Sequence, residues 1–276
     1  MQNNSSNSVG IVISTYNSPQ WLEKTLWGYE NQSFSDFEVI IADDGSGEET
    51  KNLITQFKEK GILNISHVWQ LDNGFRKSEI LNKAILASNA EYLIFTDQDC
   101  IPRKDFVQTH LNYAEHGYIL SGGYFKLPLN ISQVITNEDV ICEQAFDLQW
   151  LREQGLKRSF KNTKLSRCKS FCNFMNRVTP ANASWNGCNS SGWKEDMLKI
   201  NGFNEDMQYG GQDREFGERL FNMGIRSKQI RYSAICLHLY HKRPYKTKET
   251  LEKNKAIRGN TRNKRIIQTS NGIKKL

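Results

Sequence analysis

The stretch Tyr92-Leu93-Ile94-Phe95-Thr96-Asp97-Gln98-Asp99 decides the fold. Its four leading apolar residues make a run short enough for a buried strand. At the strand's end the chain must turn, so Asp97 and Asp99 can converge on one point instead of facing opposite sides of a sheet. Two carboxylates supply hard oxygen ligands with open coordination positions, a set suited to Mg²⁺ or Mn²⁺ bound together with phosphate oxygens. An Asp-x-Asp pair taken alone reads equally as a strand-end turn with solvated carboxylates. The neighbouring segments decide between the two.

Working outward, Val9-Gly10-Ile11-Val12-Ile13-Ser14 reads as another buried strand, followed by Thr15-Tyr16-Asn17-Ser18-Pro19. Pro19 sits just ahead of a helical pattern in which Leu22, Leu26 and Tyr29 share one face. A second strand, Glu38-Val39-Ile40-Ile41-Ala42, runs into Asp43-Asp44-Gly45-Ser46. A third, over 62–69, precedes Asp72-Asn73-Gly74-Phe75-Arg76-Lys77 and a helix through Ile80, Leu81, Ala84 and Ile85. Such strand–helix alternation predicts an α/β fold with a parallel sheet, and ligands bind beyond the carboxyl ends of its strands. Each polar cluster falls at such an end.

The 276 residues suffice for a large core, and no Gly/Ser linker, repeat or low-complexity tract forces a division. No apolar stretch approaches the roughly 20 residues of a membrane span. The polar opening, 2–8, lacks the basic and apolar regions of a signal peptide. Six cysteines without a CxxC pair suggest reduced, buried thiols in a cytoplasmic protein. Charge is uneven: residues 246–276 hold ten Lys/Arg against two Glu, a balance of +8, so the remainder carries −1 of the total +7. A tail of this kind suits an anionic membrane surface or a solvated helix. Nucleic acid is not expected, because no aromatic residue is interleaved with the tail's charges.

In that order, Ser14-Thr15-Tyr16-Asn17, Asp43-Asp44-Gly45-Ser46, Asn73-Gly74-Phe75-Arg76 and Asp97-Gln98-Asp99 resemble the motifs of glycosyltransferase family 2 with the GT-A fold. Further on, Leu198-Lys199-Ile200-Asn201-Gly202-Phe203-Asn204-Glu205 and Tyr209-Gly210-Gly211-Gln212-Asp213-Arg214-Glu215-Phe216 are similar to the acceptor-side segment of β-1,4-galactosyltransferases and chondroitin-polymerase-type enzymes. The resemblance covers residues 9–126 and 185–245. It implies a Rossmann-like, mostly parallel central sheet flanked by helices, with a C-terminal acceptor-side subregion. The expected division is a 1–245 domain followed by a basic helical tail, 246–276. Within the domain lie a nucleotide-sugar-binding half (9–126), a variable insert (127–184) and an acceptor and catalytic half (185–245). The insert carries helical periodicity over 139–156, then a basic, Asn-rich stretch over 157–177 that suits a lid over the donor.

The activity implied is inverting, metal-dependent transfer of a hexose or N-acetylhexosamine from a UDP-sugar. The acceptor would be a glycan or lipid-linked saccharide of bacterial surface polysaccharide, in a cytoplasmic enzyme with the membrane's inner face as a further contact. For the donor, the resemblance assigns Thr15, Tyr16, Asn17 and Asp44, with Asp43 beside it, to the base and ribose, and Arg76 and Lys77 to the uracil or diphosphate; Gln98 is a further nucleotide-sugar contact. An Asp-Gly pair also favours a tight turn by itself, which is the competing reading for Asp43 and Asp44. Asp97 and Asp99 would hold Mn²⁺ or Mg²⁺, with Asp97 also within the ribose's range, and a histidine after the last strand would complete the set. His238 is preferred to His241 because it continues the apolar strand directly; in an extended stretch the two would face opposite ways, so both are not expected on one ion.

Asp213 is the expected general base, although an acid at a helix start is also an ordinary N-cap. Related enzymes that retain configuration tend to carry Asn there, so Asp213 points to inversion. Gln212 stands where the resembled enzymes commonly carry Glu. Asn189 and Trp193, with Trp185, are acceptor-contact candidates, buried packing being the alternative for the tryptophans. A retaining transferase on the same fold and a catalytically silent nucleotide-sugar-binding module are the other readings.

Overall fold

A computed structural model describes residues 8–242 and 247–276. Eight strands form one sheet: β1 (Val9–Thr15), β2 (Phe37–Asp43), β3 (Asn64–Trp69), β4 (Tyr92–Asp97), β5 (Cys100–Pro102), β6 (Tyr118–Lys126), β7 (Ser190–Trp193) and β8 (Arg226–His238). Their order is β3-β2-β1-β4-β7-β6-β8-β5. The first four pair in parallel, as the alternation with helices requires. β7 then runs antiparallel to both β4 and β6. The cleft opens where the carboxyl ends of β1, β2 and β4 meet this reversal.

Burial on both faces explains the unbroken apolar runs. In β1, Ile11 and Ile13 join the core beneath the helix Pro19–Glu30, while Val12 joins the core beneath the helix Lys77–Ala87. β6 and β8 stay in register except at one bulge, between Gly122 and Gly123. There the strands come so close that a Cβ on Gly123 would lie 1.9 Å from the Arg231 carbonyl oxygen, and only glycine fits.

Three boundaries differ from expectation. The strand expected over 62–69 begins at Asn64. The helix expected over 139–156 is instead Asn137–Ile141, a 3-10 turn at Gln144–Phe146, and Leu148–Glu153. Glu143 breaks it with φ 56°, and Asp147 restarts it by accepting the Trp150 N–H. Of the periodic residues Ile141, Ala145, Leu148 and Leu151, Ala145 and Leu151 still reach a common core and Leu148 packs against it, whereas Ile141 is exposed, Val140 taking the inward place. The stretch over 157–177 is structured too, as the 3-10 turn Phe160–Leu165 and the helix Lys169–Val178.

Residues 247–276 are not a separate tail. The helix Lys248–Asn263 packs on the helix Gln212–Asn222, with Thr261 donating to Glu215 and Arg258 paired with Glu218. Beyond it the chain folds back onto Asn201, whose side chain donates to the Thr269 and Lys274 carbonyls and accepts the Lys274 N–H. Lys246, counted in the basic tail, and residues 2–7 of the polar opening lie outside the described residues. All six cysteines are unbridged; Cys142 and Cys168 are exposed, against the expectation of burial. Among the described residues no helix is long and apolar enough to cross a membrane.

Candidate active site

A cleft of about 860 Å³ collects most of the residues singled out from sequence, among them Thr15, Tyr16, Asn17, Asp44, Lys77, Asp97, Gln98, Asp99, Gln212, Asp213 and His238. On its β1 side the side chains fix one another. Gln98 accepts from the Thr15 hydroxyl and, at 2.9 Å, from the Tyr16 N–H, then donates back to the Tyr16 carbonyl at 3.2 Å. The Tyr16 hydroxyl donates to Asp72 (2.9 Å), and its ring stays 45% exposed, a flat platform at the cleft mouth. Asn17, at φ 41°, is held by Ser46 and accepts the Gly47 N–H. Asp44 accepts from the Gln70 side chain at 2.6 Å and from the Arg76 N–H at 2.8 Å. Burial pushes its carboxyl pKa up, partly against those hydrogen bonds.

Two donor-side residues do not reach the cleft. Asp43 is fully buried, with one oxygen accepting the Ser46 N–H and the other 2.9 Å from His67 Nε2. It builds the turn, as the Asp-Gly reading allowed. The Arg76 guanidinium pairs with Glu79, so Arg76 serves the cleft through its backbone N–H.

The acidic pair divides its work. Asp97 Oδ1 accepts from Ser14 Oγ (2.7 Å) and Lys77 Nζ (2.6 Å). Burial works against both charges, but each stabilises the other: Asp97 is held below the usual carboxylate range and Lys77 above the usual lysine range, with Asp213 adding to the latter. Among the described residues Asp99 has no such cation. Its Oδ2 lies 3.6 Å from His238 Nδ1 and 3.2 Å from His241 Nε2. Burial raises its pKa, opposed by His238.

The two imidazoles therefore face the same carboxylate, contrary to the expectation of opposite sides. β8 ends at His238, the Leu239 N–H bonds to the Asp99 carbonyl (2.8 Å), and strand alternation no longer governs His241. The rings stack with centroids 5.4 Å apart. Ligand atoms of Asp99, His238 and the Cys100 thiol lie within 4.8 Å of one another. A buried carboxylate flanked by imidazoles, with no strong donor of its own, fits a divalent cation.

Asp213 stands in the first turn of Gln212–Asn222, after Gly210 and Gly211 at φ 105° and 96°. Its Oδ1 is buried with no hydrogen-bond partner among the described residues. Burial raises its pKa, with the Lys77 cation pulling the other way. A Cβ on Gly187 would lie 2.9 Å from both carboxylate oxygens, so that glycine makes the space Asp213 occupies. Gln212 accepts the Gly210 N–H at 2.9 Å, which shapes the turn. From the C-terminal helix, the Asn254 amide donates to the carbonyls of Gln208, Tyr209 and Gly210 at 3.0, 3.1 and 2.9 Å.

The proposed acceptor contacts Asn189 and Trp193 belong to the interior instead. Asn189 is fully buried, donates to the Gly123 and Ala234 carbonyls and meets His110 Nε2 at 2.9 Å. It ties β6, β7 and β8 together, and burial holds His110 neutral, its pKa lowered to about 4. Trp193 packs on Tyr92 and stacks on His116 at 3.8 Å, while Trp185 is buried between Phe95 and Phe216. Asn186, Gly187 and Cys188 line the cleft in their place, with Tyr124, Lys126 and Tyr209. Tyr124 and Lys126 sit two apart on β6, a period-two signal that sequence reading passed over.

A family model described as glycosyl transferase family 2 matches residues 10–183, and one described as the N-terminal domain of galactosyltransferase matches residues 170–242. The chain is 29% identical over 258 residues to the chondroitin synthase of Escherichia coli, covering 86% of this chain and 35% of that protein. It is 28% identical over 225 residues to the validoxylamine A glucosyltransferase of Streptomyces hygroscopicus subsp. jinggangensis, covering 79% and 52%. With the hyaluronan synthase of Pasteurella multocida identity is 29%, covering 86% and 24%. The chain thus spans between about a quarter and a half of these relatives' lengths. Among solved structures, S. aureus TarS 1-349 with UDP-GlcNAc aligns with a TM-score of 0.59 at 15% identity, over 86% of this chain and 59% of that one. A Pyrobaculum calidifontis mannosyltransferase with GDP-Man and Mn²⁺ aligns at 0.57 and 18%, over 86% and 58%.

Proposed function

The chain belongs to glycosyltransferase family 2 and has the GT-A fold, and from that premise we propose that it transfers a hexose or N-acetylhexosamine, with inversion, from a UDP-sugar to a glycan of bacterial surface polysaccharide. One observation carries the reading. Asp213, half-buried and, among the described residues, without a hydrogen-bond partner at its buried Oδ1, shares a cleft with Asp97 and Asp99, and Lys77 interacts with both Asp97 and Asp213. The family supplies the reaction type, two relatives are named polysaccharide synthases, and one solved neighbour holds UDP-GlcNAc.

In this reading Tyr16 offers its ring to the uracil, and Asp44, Asn17 and Thr15 contact the ribose side. Lys77, already paired with Asp97, faces the diphosphate. Asp99 with His238 and His241 would hold the cation, and the mixed oxygen and nitrogen donors favour Mn²⁺ over Mg²⁺. Such an ion would act as Lewis acid for the charge on the departing diphosphate. Asp213 takes the acceptor hydroxyl's proton, and its raised pKa matches a base that must bind that proton and later release it. The cations of 247–276 remain a candidate contact for anionic membrane. Arg258, however, is engaged by Glu218, and Leu251 would meet any Cβ placed on Gly210, so the helix offers charge without a free apolar face.

A thermal-shift panel of UDP-galactose, UDP-N-acetylgalactosamine and UDP-N-acetylglucosamine, with and without Mn²⁺, tests the donor. Stabilisation by a UDP-sugar that needs the ion is expected; stronger stabilisation by GDP-mannose, run beside the panel, would overturn it. Product configuration by NMR tests inversion, and retention at the anomeric carbon would remove Asp213 as base.

A further inference from the structure

Between Gln154 and Lys194 the sequence holds seven Lys/Arg and no Asp or Glu. The 3-10 turn Phe160–Leu165 and the helix Lys169–Val178 that occupy much of this span both pack on β8. The helix turns Cys172 and Met175 inward onto Tyr232, and Asn176 accepts the Tyr232 N–H. Its solvent side carries two stripes one turn apart in spacing: Ser170, Phe174 and Val178, and beside them Lys169, Asn173 and Arg177. Phe174 is 59% exposed, Val178 50%, and Phe160 on the preceding turn 72%.

Charge around these rings is unbalanced. Of the seven Lys/Arg from 157 to 177, Arg167 pairs with Glu143, and among the described residues no other of the seven has an acidic partner. Beside the helix lies a second cleft of about 600 Å³ with Lys104, Arg167 and Lys169 on its walls. Its carboxylates, Asp105 and Glu143, are already held by Arg103 and Arg167.

We infer that this face of the insert docks on an anionic lipid surface. Phe160, Phe174 and Val178 enter the boundary between headgroups and acyl chains, and Lys157, Arg158, Lys161, Lys169 and Arg177 meet the headgroups. Exposed aromatic rings gain by leaving water at that depth, and the cations around them find counter-charge in the headgroup layer. The face is also joined to the catalytic cleft: Lys164 Nζ donates to the carbonyl of Tyr124, a cleft-wall residue, at 3.3 Å. Docking here would hold the cleft wall near a lipid-borne acceptor. The inference stands apart from donor identity, since vesicle binding needs no turnover.

Flotation of the full chain with phosphatidylcholine vesicles, and with phosphatidylcholine mixed with phosphatidylglycerol, tests it. The chain should float only with the anionic mixture. A Phe160→Ser/Phe174→Ser variant and a Lys169→Glu/Arg177→Glu variant should each bind about tenfold less, and Lys253→Glu/Lys255→Glu on the C-terminal helix should stay within about twofold. Should the Phe double variant fail to fold by circular dichroism, Phe174→Ser alone should still lose about threefold or more. Equal flotation of the face variants and the unaltered chain would overturn the inference. So would loss confined to the C-terminal variant, which moves the contact to the tail, or tight binding of a soluble acidic polysaccharide with no vesicle binding. A blank donor panel would sink the UDP-sugar reading and leave this result intact.

Discussion

The proposed donor side and the proposed acceptor side of the cleft are built by opposite means. Around β1, β2 and β4, the polar groups other than Asp99 are held by one another a few ångströms away: Gln98 by Tyr16, Asp44 by Gln70 and the Arg76 N–H, Asp97 by Ser14 and Lys77. On the acceptor side Asp213 Oδ1 has no partner, and its position rests on a glycine opposite it and a turn braced from another helix. A donor subsite made of mutual hydrogen bonds is fixed before ligand arrives. A buried carboxylate oxygen left without a partner costs about 1–3 kcal/mol, which suits the proposed role of receiving a proton.

The contrast breaks most visibly at Asp213. Asp213→Asn should lower kcat at least ~10²-fold while calorimetry finds UDP-sugar affinity unchanged. Near-normal turnover would remove the asymmetry altogether. Because burial raises the Asp213 pKa, the acid limb of kcat should lie above the ordinary carboxylate pKa of about 3.9. The base works ionised, so activity falls as pH drops through that limb, and Asp213→Asn should flatten the profile.

Gly187→Ala ranks next. The added methyl would press on both oxygens of Asp213, so kcat should drop about tenfold, with a smaller loss in melting temperature. Unchanged kinetics would mean that Asp213 has room to spare. His238→Ala and His241→Ala should each weaken Mn²⁺ binding by about tenfold, read by electron paramagnetic resonance. An effect from only one would reduce the pair to a single ligand. The smallest change is expected at Arg76→Ala, where donor affinity should stay within about twofold because the guanidinium is taken by Glu79. A large loss there would mean the side chain swings into the cleft.

The same division governs how much could be read from sequence. The parallel half of the sheet announced itself, because doubly buried strands such as Ile11-Val12-Ile13 and Leu93-Ile94-Phe95 leave unbroken apolar runs that end in polar clusters. Pairing partners did not. Nothing local distinguishes Asp43, turned toward His67, from Asp44, turned toward the cleft. Nor does an Asn-rich stretch reveal that Asn189 is a core pin while Asn186 lines the opening. The histidines misled by period: alternation holds only as long as the strand, and β8 stops at His238. The basic tail misled by composition, since its cations dominate the count while Asn254 and Thr261, its buried contacts, carry no charge.

Asn254 holds three consecutive backbone oxygens of the turn at 208–210 from more than forty positions downstream. Loss of that helix would free the turn that sets Asp213 without altering a single side chain proposed to meet the sugar nucleotide. Anyone grafting this catalytic unit into a longer synthase should therefore place the junction after the helix, not after the histidines.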